Sequence, residues 1–388
     1  MSIDERGAPL GWKLRLFYFL HFAGVGIYYP FFTPYLRGLG FDGNAIGTAQ
    51  MAGSVASVPA VILWGALADR LGAPSRALAF ATRGALVTSV ILFFARTPHA
   101  VTLALLAQGL FAPAIVPLVD TVTVESLQTH GGASYARIRL FGSLGFIATA
   151  QGFGLLLTAR ADQAGDLAVP IAYATAFLFS SVAVTFLPAA PIPGGPRPRL
   201  AEGRTLLRDR RLLLLLGAGA VHAATTACYQ LFGVLVRDQG LSSTVTGAGM
   251  AFGVAAEVLV LFAFPVLERR FAVSTLLAIA FAGSSLRWLF LSRSHGAVAL
   301  VAIQGLHGVT FGLYWAAAIR MLERWVPSRL RATGQTLFTA ITFAVGGAIG
   351  YRLAGFGYDR MGGAAPVYAW AAMVELVPLA LAMMLRRQ

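Results

Sequence analysis

The chain is poor in charge and almost without cysteine. Charged residues fill 12% of its 388 positions, against about a quarter in soluble domains. The single cysteine, Cys228, excludes a disulfide framework. No Gly-x-x-x-x-Gly-Lys-Ser/Thr loop occurs, so ATP-driven work by this chain alone is not expected. Neither a histidine-rich metal cluster nor a nucleophile motif appears, which argues against a membrane enzyme and leaves no cofactor to expect. A cleavable leader is not expected, because the first apolar run is full length, carries His21 and prolines, and lacks a small-residue cleavage site.

What the chain has is apolar length. The hydrophobic fraction is 57% and mean hydropathy is +0.72, too apolar for one soluble core. Apolar segments recur at about 12–36, 46–68, 75–95, 99–125, 136–158 and 168–188, then at 212–236, 245–267, 273–292, 297–319, 332–355 and 364–385. Each approaches the roughly 20 residues that carry an α-helix across a hydrocarbon core. Membrane strands are half that length with alternating polarity, which excludes a β-barrel. The expectation is an all-α membrane protein with twelve transmembrane helices.

The net charge of +14 invites a nucleic-acid partner, and its distribution removes that reading. With the N-terminus inside, twenty-one Lys and Arg fall on the cytoplasmic side and seven on the other. This bias places both termini in the cytoplasm. Only Arg83 and Arg287 lie well inside spans.

The two halves repeat at an offset of about two hundred residues. His21, Tyr28, Arg37, Gly40 and Gly47 are answered by His222, Tyr229, Arg237, Gly240 and Gly247, and Asp69-Arg70 by Glu268-Arg269. Such duplication predicts two pseudo-symmetric six-helix bundles: residues 1–188, a cytoplasmic Pro/Arg-rich linker over 189–211, and residues 212–388. Glycines inside the spans let helices approach closely, while Pro30, Pro34, Pro59, Pro113, Pro117 and Pro265 should kink theirs.

The loop Gly65-Ala-Leu-Ala-Asp69-Arg70-Leu-Gly72-Ala-Pro-Ser-Arg76 resembles the signature of the major facilitator superfamily between its second and third helices. Asp69 is expected to act there as a latch toward a neighbouring helix N-terminus. Tyr135-Ala-Arg137-Ile-Arg139-Leu-Phe141-Gly142-Ser-Leu-Gly145-Phe146 resembles the fifth helix of lactose permease and its relatives. Gln304-Gly-Leu-His307-Gly-Val-Thr310-Phe-Gly312-Leu-Tyr314, with Pro327 and Leu330-Arg-Ala-Thr-Gly334-Gln335, looks more like the 3-phenylpropionate permease branch. The resemblance implies the major facilitator fold and a proton-coupled solute symporter of the bacterial inner membrane.

Ionisable groups at membrane depth are functional candidates. Glu257 in helix eight, Arg287 in helix nine and His307 in helix ten match a glutamate, an arginine and a histidine that lactose-permease-like proteins place on these helices. This chain departs from that family at Thr310, where the proton-carrying glutamate would stand, and at Gln304, where a lysine would. If protons are coupled, Glu257 or His307 carries them, with Arg287 moving toward or away from Glu257; the alternative is a permanent Glu257–Arg287 pair that fixes packing. The repeat position of Glu257 is Ser57.

In the first half, Asp120 and Arg139 should lie at similar depth, where the family grips solute hydroxyls, and Phe146 matches its aromatic. His21, Tyr28, His222, Gln304 and Tyr314 complete the candidate solute site; for His21 and His222 a buried imidazole hydrogen-bonded to a neighbouring helix is the default reading and a cavity-lining role the other. Glu375 and Arg83 are embedded without a nameable partner. The expected reading is uptake of a small organic solute with a proton by alternating access, by a monomer in the bilayer. An aromatic carboxylate is favoured over a sugar or nucleoside. A proton-coupled exporter and a non-transporting receptor or scaffold are the rivals.

Overall fold

The computed structural model describes residues 11–130, 134–187, 205–327 and 330–385. Most of the expected linker, to residue 204, lies outside the described residues, as do Arg6, Arg329, Arg386 and Arg387. Twelve helices are long and apolar enough to cross a membrane: α1 Gly11–Gly38, α2 Gly43–Leu71, α3 Pro74–Phe94, α4 Pro98–Thr129, α5 Tyr135–Ala159, α6 Ala168–Phe186, α7 Arg210–Asp238, α8 Ser243–Arg270, α9 Val273–Arg293, α10 Ala297–Trp325, α11 Thr333–Met361 and α12 Ala364–Leu385. No strand occurs among the described residues. Large apolar side chains stand exposed on the helix surfaces, among them Leu63, Phe94, Leu259 and Val298, as a surface facing lipid requires. The protein is a multi-pass membrane protein.

Two compact units result. Residues 11–41 and 52–187 form the first; residues 205–385 form the second together with 42–51, the first turns of α2. In the first unit α1 packs on α5 and α6, and α3 on α4 and α6. In the second, α7 packs on α11 and α12, and α9 on α10 and α12, so the same pairs recur. The glycines explain the closest contacts. A Cβ on Gly145 of α5 would sit 2.2 Å from the Phe19 carbonyl oxygen of α1, and one on Gly346 of α11 would sit 2.4 Å from the Ala220 carbonyl oxygen of α7. Both partners are shifted by the same 201 residues, which writes the duplication into the packing.

Several helices are not continuous. The helical hydrogen bonding of α4 is interrupted after Gly109 and resumes at Ala112, while α10 turns at Gly305 and Leu306. Wide π-helical turns fill Gly308–Leu313 in α10 and Ala340–Gly346 in α11, and a tight 3₁₀ stretch fills Ala227–Leu231 in α7. In α12 regular helix stops at Val374 and restarts at Leu376, because Pro378 has no N–H for the Val374 carbonyl. Such turns release backbone groups from the i→i−4 ladder and are frequent at functional sites.

The second unit's core runs from Leu212, Leu215 and Leu216 of α7 through Leu277 and Phe281 of α9 to Tyr314, Ala317 and Phe338. α2 begins earlier than hydropathy suggests because Asp359 of α11 accepts the N–H groups of Gly43 and Asn44, both at 2.7 Å. A carboxylate there meets the orphan donors and the positive end of the helix dipole.

Candidate functional site

The three C-terminal candidates form a chain of contacts. Arg287 of α9 is 1% exposed. Its Nη1 donates to the Thr310 hydroxyl at 3.0 Å and to His307 Nδ1 at 3.1 Å, and its Nη2 donates to Gln304 Oε1 at 2.6 Å. The guanidinium carbon lies 4.3 Å from the Tyr229 ring centre and 4.8 Å from that of Trp288. On the far side of the imidazole, His307 Nε2 is 3.5 Å from Glu257 Oε2.

The permanent Arg287–Glu257 pair, the alternative reading of these two charges, is not formed, because His307 stands between them and the arginine's terminal nitrogens are taken by neutral acceptors. Gln304 and Thr310, the two departures from the lactose-permease pattern, are two of those acceptors. Among the described residues no carboxylate pairs with Arg287, so its charge is held by hydrogen bonds and aromatic faces alone. An arginine only donates, so His307 Nδ1 is the acceptor and the ring proton sits on Nε2, facing Glu257. The Glu257 and His307 side chains are 20% and 12% exposed, so the carboxylate end of the chain is the open one. Ser57, at the repeat position of Glu257, donates to the Ser54 carbonyl of its own helix.

In the first unit the Tyr18 hydroxyl of α1 donates to Asp120 Oδ1 at 2.5 Å. The Arg139 guanidinium lies 4.1 Å from the Phe22 ring centre and 5.7 Å from that of Tyr18. Asp120 and Arg139 are thus linked through Tyr18, with no ion pair between them among the described residues. Phe146 is buried, its backbone pressed against Gly26 of α1.

His21 is buried among Phe17, Phe22 and Phe177, with ring centres 6.2, 5.4 and 6.1 Å away, and its Nδ1 has no hydrogen-bond partner among the described residues. Tyr28 packs against Phe32 at 4.7 Å and Tyr173 at 5.1 Å. Its repeat equivalent, Tyr229, instead carries Arg287. His222 lies against Tyr314 at 4.4 Å, and Tyr314 is fully buried in the second unit's core rather than beside the Glu257 centre.

The motif loop closes α2. Gly72 takes φ +56°, with its N–H on the Asp69 carbonyl, a turn that favours glycine. Asp69 is half-buried, Gly65, Arg70 and Arg76 are exposed. In the second unit the equivalent Glu268 accepts two hydrogen bonds from Arg320 of α10, at 2.7 and 2.6 Å.

Sequence reasoning missed two participants and the partner of a third residue. Tyr18 and Phe22 look like ordinary aromatics in an apolar helix, and their cue is position, Tyr18 one turn before His21 and Phe22 next to it. Glu375, left without a partner, contacts His222 and Thr225 of α7. A groove of about 620 Å³ between α1, α5 and α6 is lined mostly by apolar residues and contains no carboxylate or histidine, so it adds nothing to this chemistry.

The comparisons agree with this architecture. A maltose permease of Geobacillus stearothermophilus is 29% identical over 336 residues, covering 85% of this chain and 83% of that protein. A probable 3-phenylpropionic acid transporter of Escherichia coli (strain K12) is 29% identical over 365 residues, covering 90% and 91%. The crystal structure of a mutant of the nucleoside transporter NupG aligns with a TM-score of 0.86 at 18% identity, covering 97% of this chain and 100% of that one, a likeness of fold. The sequence model of the MFS_1-like family matches residues 11–369, and the chain belongs to that family of major facilitator superfamily transporters.

Proposed function

We propose that the protein takes up a small organic solute together with a proton, and that Glu257 carries the proton. The observation that supports this is the Arg287–His307–Glu257 chain. Protonating His307 on Nδ1 would sacrifice its bond from Arg287 and set a second positive charge 3.1 Å from the guanidinium. Glu257 has no such obstacle: ionised, it faces the His307 N–H, and protonated, it is a neutral acid at the open end of the chain.

The same centre favours an acidic solute. A buried guanidinium without a carboxylate is under-compensated, and an arriving anion would relieve it through forked hydrogen bonds. Tyr229 and Phe311, with rings 5.6 and 5.4 Å from that of His307, supply apolar faces for an aromatic group. An aromatic carboxylate therefore remains ahead of a sugar or a nucleoside, in keeping with the 3-phenylpropionic acid transporter among the relatives. In this reading the chain acts as a monomer in a bacterial inner membrane with both termini cytoplasmic, and Asp69 serves as its latch.

The test is uptake of labelled 3-phenylpropionate, maltose and a nucleoside into proteoliposomes at zero membrane potential, with and without an acid exterior. A gradient of about one pH unit, worth about 1.4 kcal/mol per proton, should sustain about tenfold accumulation of the acid. Equal accumulation with and without the gradient would remove proton coupling.

A further inference from the structure

A second ionisable centre lies apart from Glu257, fully inside the second unit. Glu375 sits at the break in α12 and is 0% exposed; His222 of α7 is 2% exposed. His222 Nδ1 faces Glu375 Oε1, and Glu375 Oε2 meets the Thr225 hydroxyl. The other ring nitrogen, Nε2, is 3.1 Å from the Thr310 carbonyl oxygen.

Proton counting follows from those partners. A carbonyl only accepts, so Nε2 carries a hydrogen and donates it to Thr310. The remaining contact, Nδ1 to Oε1, then needs one proton, on the imidazole or on the carboxyl. Without it two lone pairs face each other in a site closed to water, a costly arrangement. The pair therefore binds one proton wherever that proton sits between the two atoms.

Thr310 joins this pair to the first centre. Its carbonyl accepts from His222 while its hydroxyl accepts from Arg287, and it lies in the wide turn Gly308–Leu313, whose backbone is not locked in an α-helical ladder. Three helix irregularities meet here: Ala227–Leu231 in α7, Gly308–Leu313 in α10 and the break at Glu375. Around the pair, α7 brings Cys228 and α10 brings Tyr314. From α9 come the ring of Phe281 and, through Thr310, the Arg287 charge. The stretch of α11 against α7, residues 340–350, contains no titratable side chain.

We propose that His222 and Glu375 form a second proton-binding site, retained through the transport cycle, which positions Thr310 and through it Arg287. This rests on the reading of the Arg287–His307–Glu257 centre as the transport site. When the proton leaves to water, ionised Glu375 repels the Nδ1 lone pair, the ring turns away, and Thr310 loses its His222 donor. Arg287 then loses the fixed position of one of its acceptors. No other bond changes.

The experiment uses the full-length protein. Infrared titration of the wild type should show a carboxylic-acid or imidazolium band that disappears in alkali, persists in Glu257→Gln and is absent from Glu375→Gln; this arm needs no solute. In proteoliposomes at equal pH on both sides, exchange of whichever of 3-phenylpropionate, maltose or a nucleoside accumulates should fall about fivefold in alkali for the wild type and Glu257→Gln. Glu375→Gln, whose amide can donate to Nδ1 permanently, should lose that fall while still exchanging at neutral pH. An alkaline fall unchanged in Glu375→Gln, or a wild type with no alkaline fall, overturns the inference. So does a wild type with no titrating band. If Glu375→Gln does not fold, the wild-type titration decides alone, with His222→Asn required to abolish or shift the band. Failure of the Glu257 reading is seen separately, as gradient-driven accumulation that is absent from the wild type or survives in Glu257→Gln; accumulation serves here only to choose the solute, and the infrared arm does not depend on it.

Discussion

Arg287 donates to Nδ1 of His307 at 3.1 Å, and this single bond fixes which nitrogen of the histidine can face Glu257. The arginine acts on the carboxylate through the imidazole. Charge, tautomer and the accessible acid are thus arranged in series within one unit, on α9, α10 and α8.

The acceptors that hold Arg287 can be removed singly. Gln304→Leu leaves Nη2 without its 2.6 Å partner in a site shut to water. A charged group's hydrogen bond is worth about 1.5–3 kcal/mol, and the stranded donor makes the loss fully felt. Thermal unfolding in detergent should show a drop of several degrees for Gln304→Leu, and a smaller one for Gln304→Glu, which keeps an acceptor.

Outside the spans, Asp166 gives a pH signature. Arg160 donates to it twice, at 2.6 and 3.1 Å, and the Ala168 N–H at 2.9 Å. The Arg160 hydrogen bonds, aided by that N–H and by the arginine's charge, hold the carboxyl below its usual 3.8. A lowered folded value contributes stability that is fully present above the unfolded value and is lost as pH falls through the folded one. Asp166→Asn, which keeps an acceptor for the Ala168 N–H but loses the charge paired with Arg160, should therefore lower the unfolding temperature at neutral pH. The difference from wild type should begin to shrink as the pH falls through 3.8 and vanish only below the lowered folded value.

The repeated glycine contacts should respond alike. Alanine at Gly145 or at Gly346 places a Cβ 2.2 or 2.4 Å from a backbone oxygen of the facing helix, where no side chain can yield. Each substitution should cost about 1–3 kcal/mol by forcing α1 from α5 or α7 from α11. Alanine at Gly65, which has open space, should cost far less. Unfolding temperatures of the three variants in one detergent check the ranking.

Much of this was legible in the sequence, because apolar length and duplication are statements about burial along one chain. The twelve spans follow from hydropathy alone, and the union of Glu257, Arg287 and His307 followed from a resemblance in their spacing. The direct Arg287–Glu257 pair, the alternative that spacing leaves open, is absent among the described residues. Which acceptor an arginine reaches depends on helix rotation, and Gln304 and Thr310 present theirs on the same face as His307. Glu375 had no readable partner because His222 lies 153 residues away. The π turns at 308–313 and 340–346 were invisible to hydropathy, which registers polarity and not the offset of backbone hydrogen bonds. α2's early start depends on Asp359, more than three hundred residues later.

The central claim is that Glu257 is the proton carrier of a symporter, and proton flux measured beside solute flux in proteoliposomes tests it most directly. Glu257→Gln imitates permanent protonation while keeping an acceptor for the His307 N–H. It should bind and exchange solute across the membrane at near wild-type rates at neutral pH, move no protons with it, and lose all accumulation driven by a pH gradient. A Glu257→Gln protein that still concentrates solute against its gradient with accompanying proton influx would contradict the account.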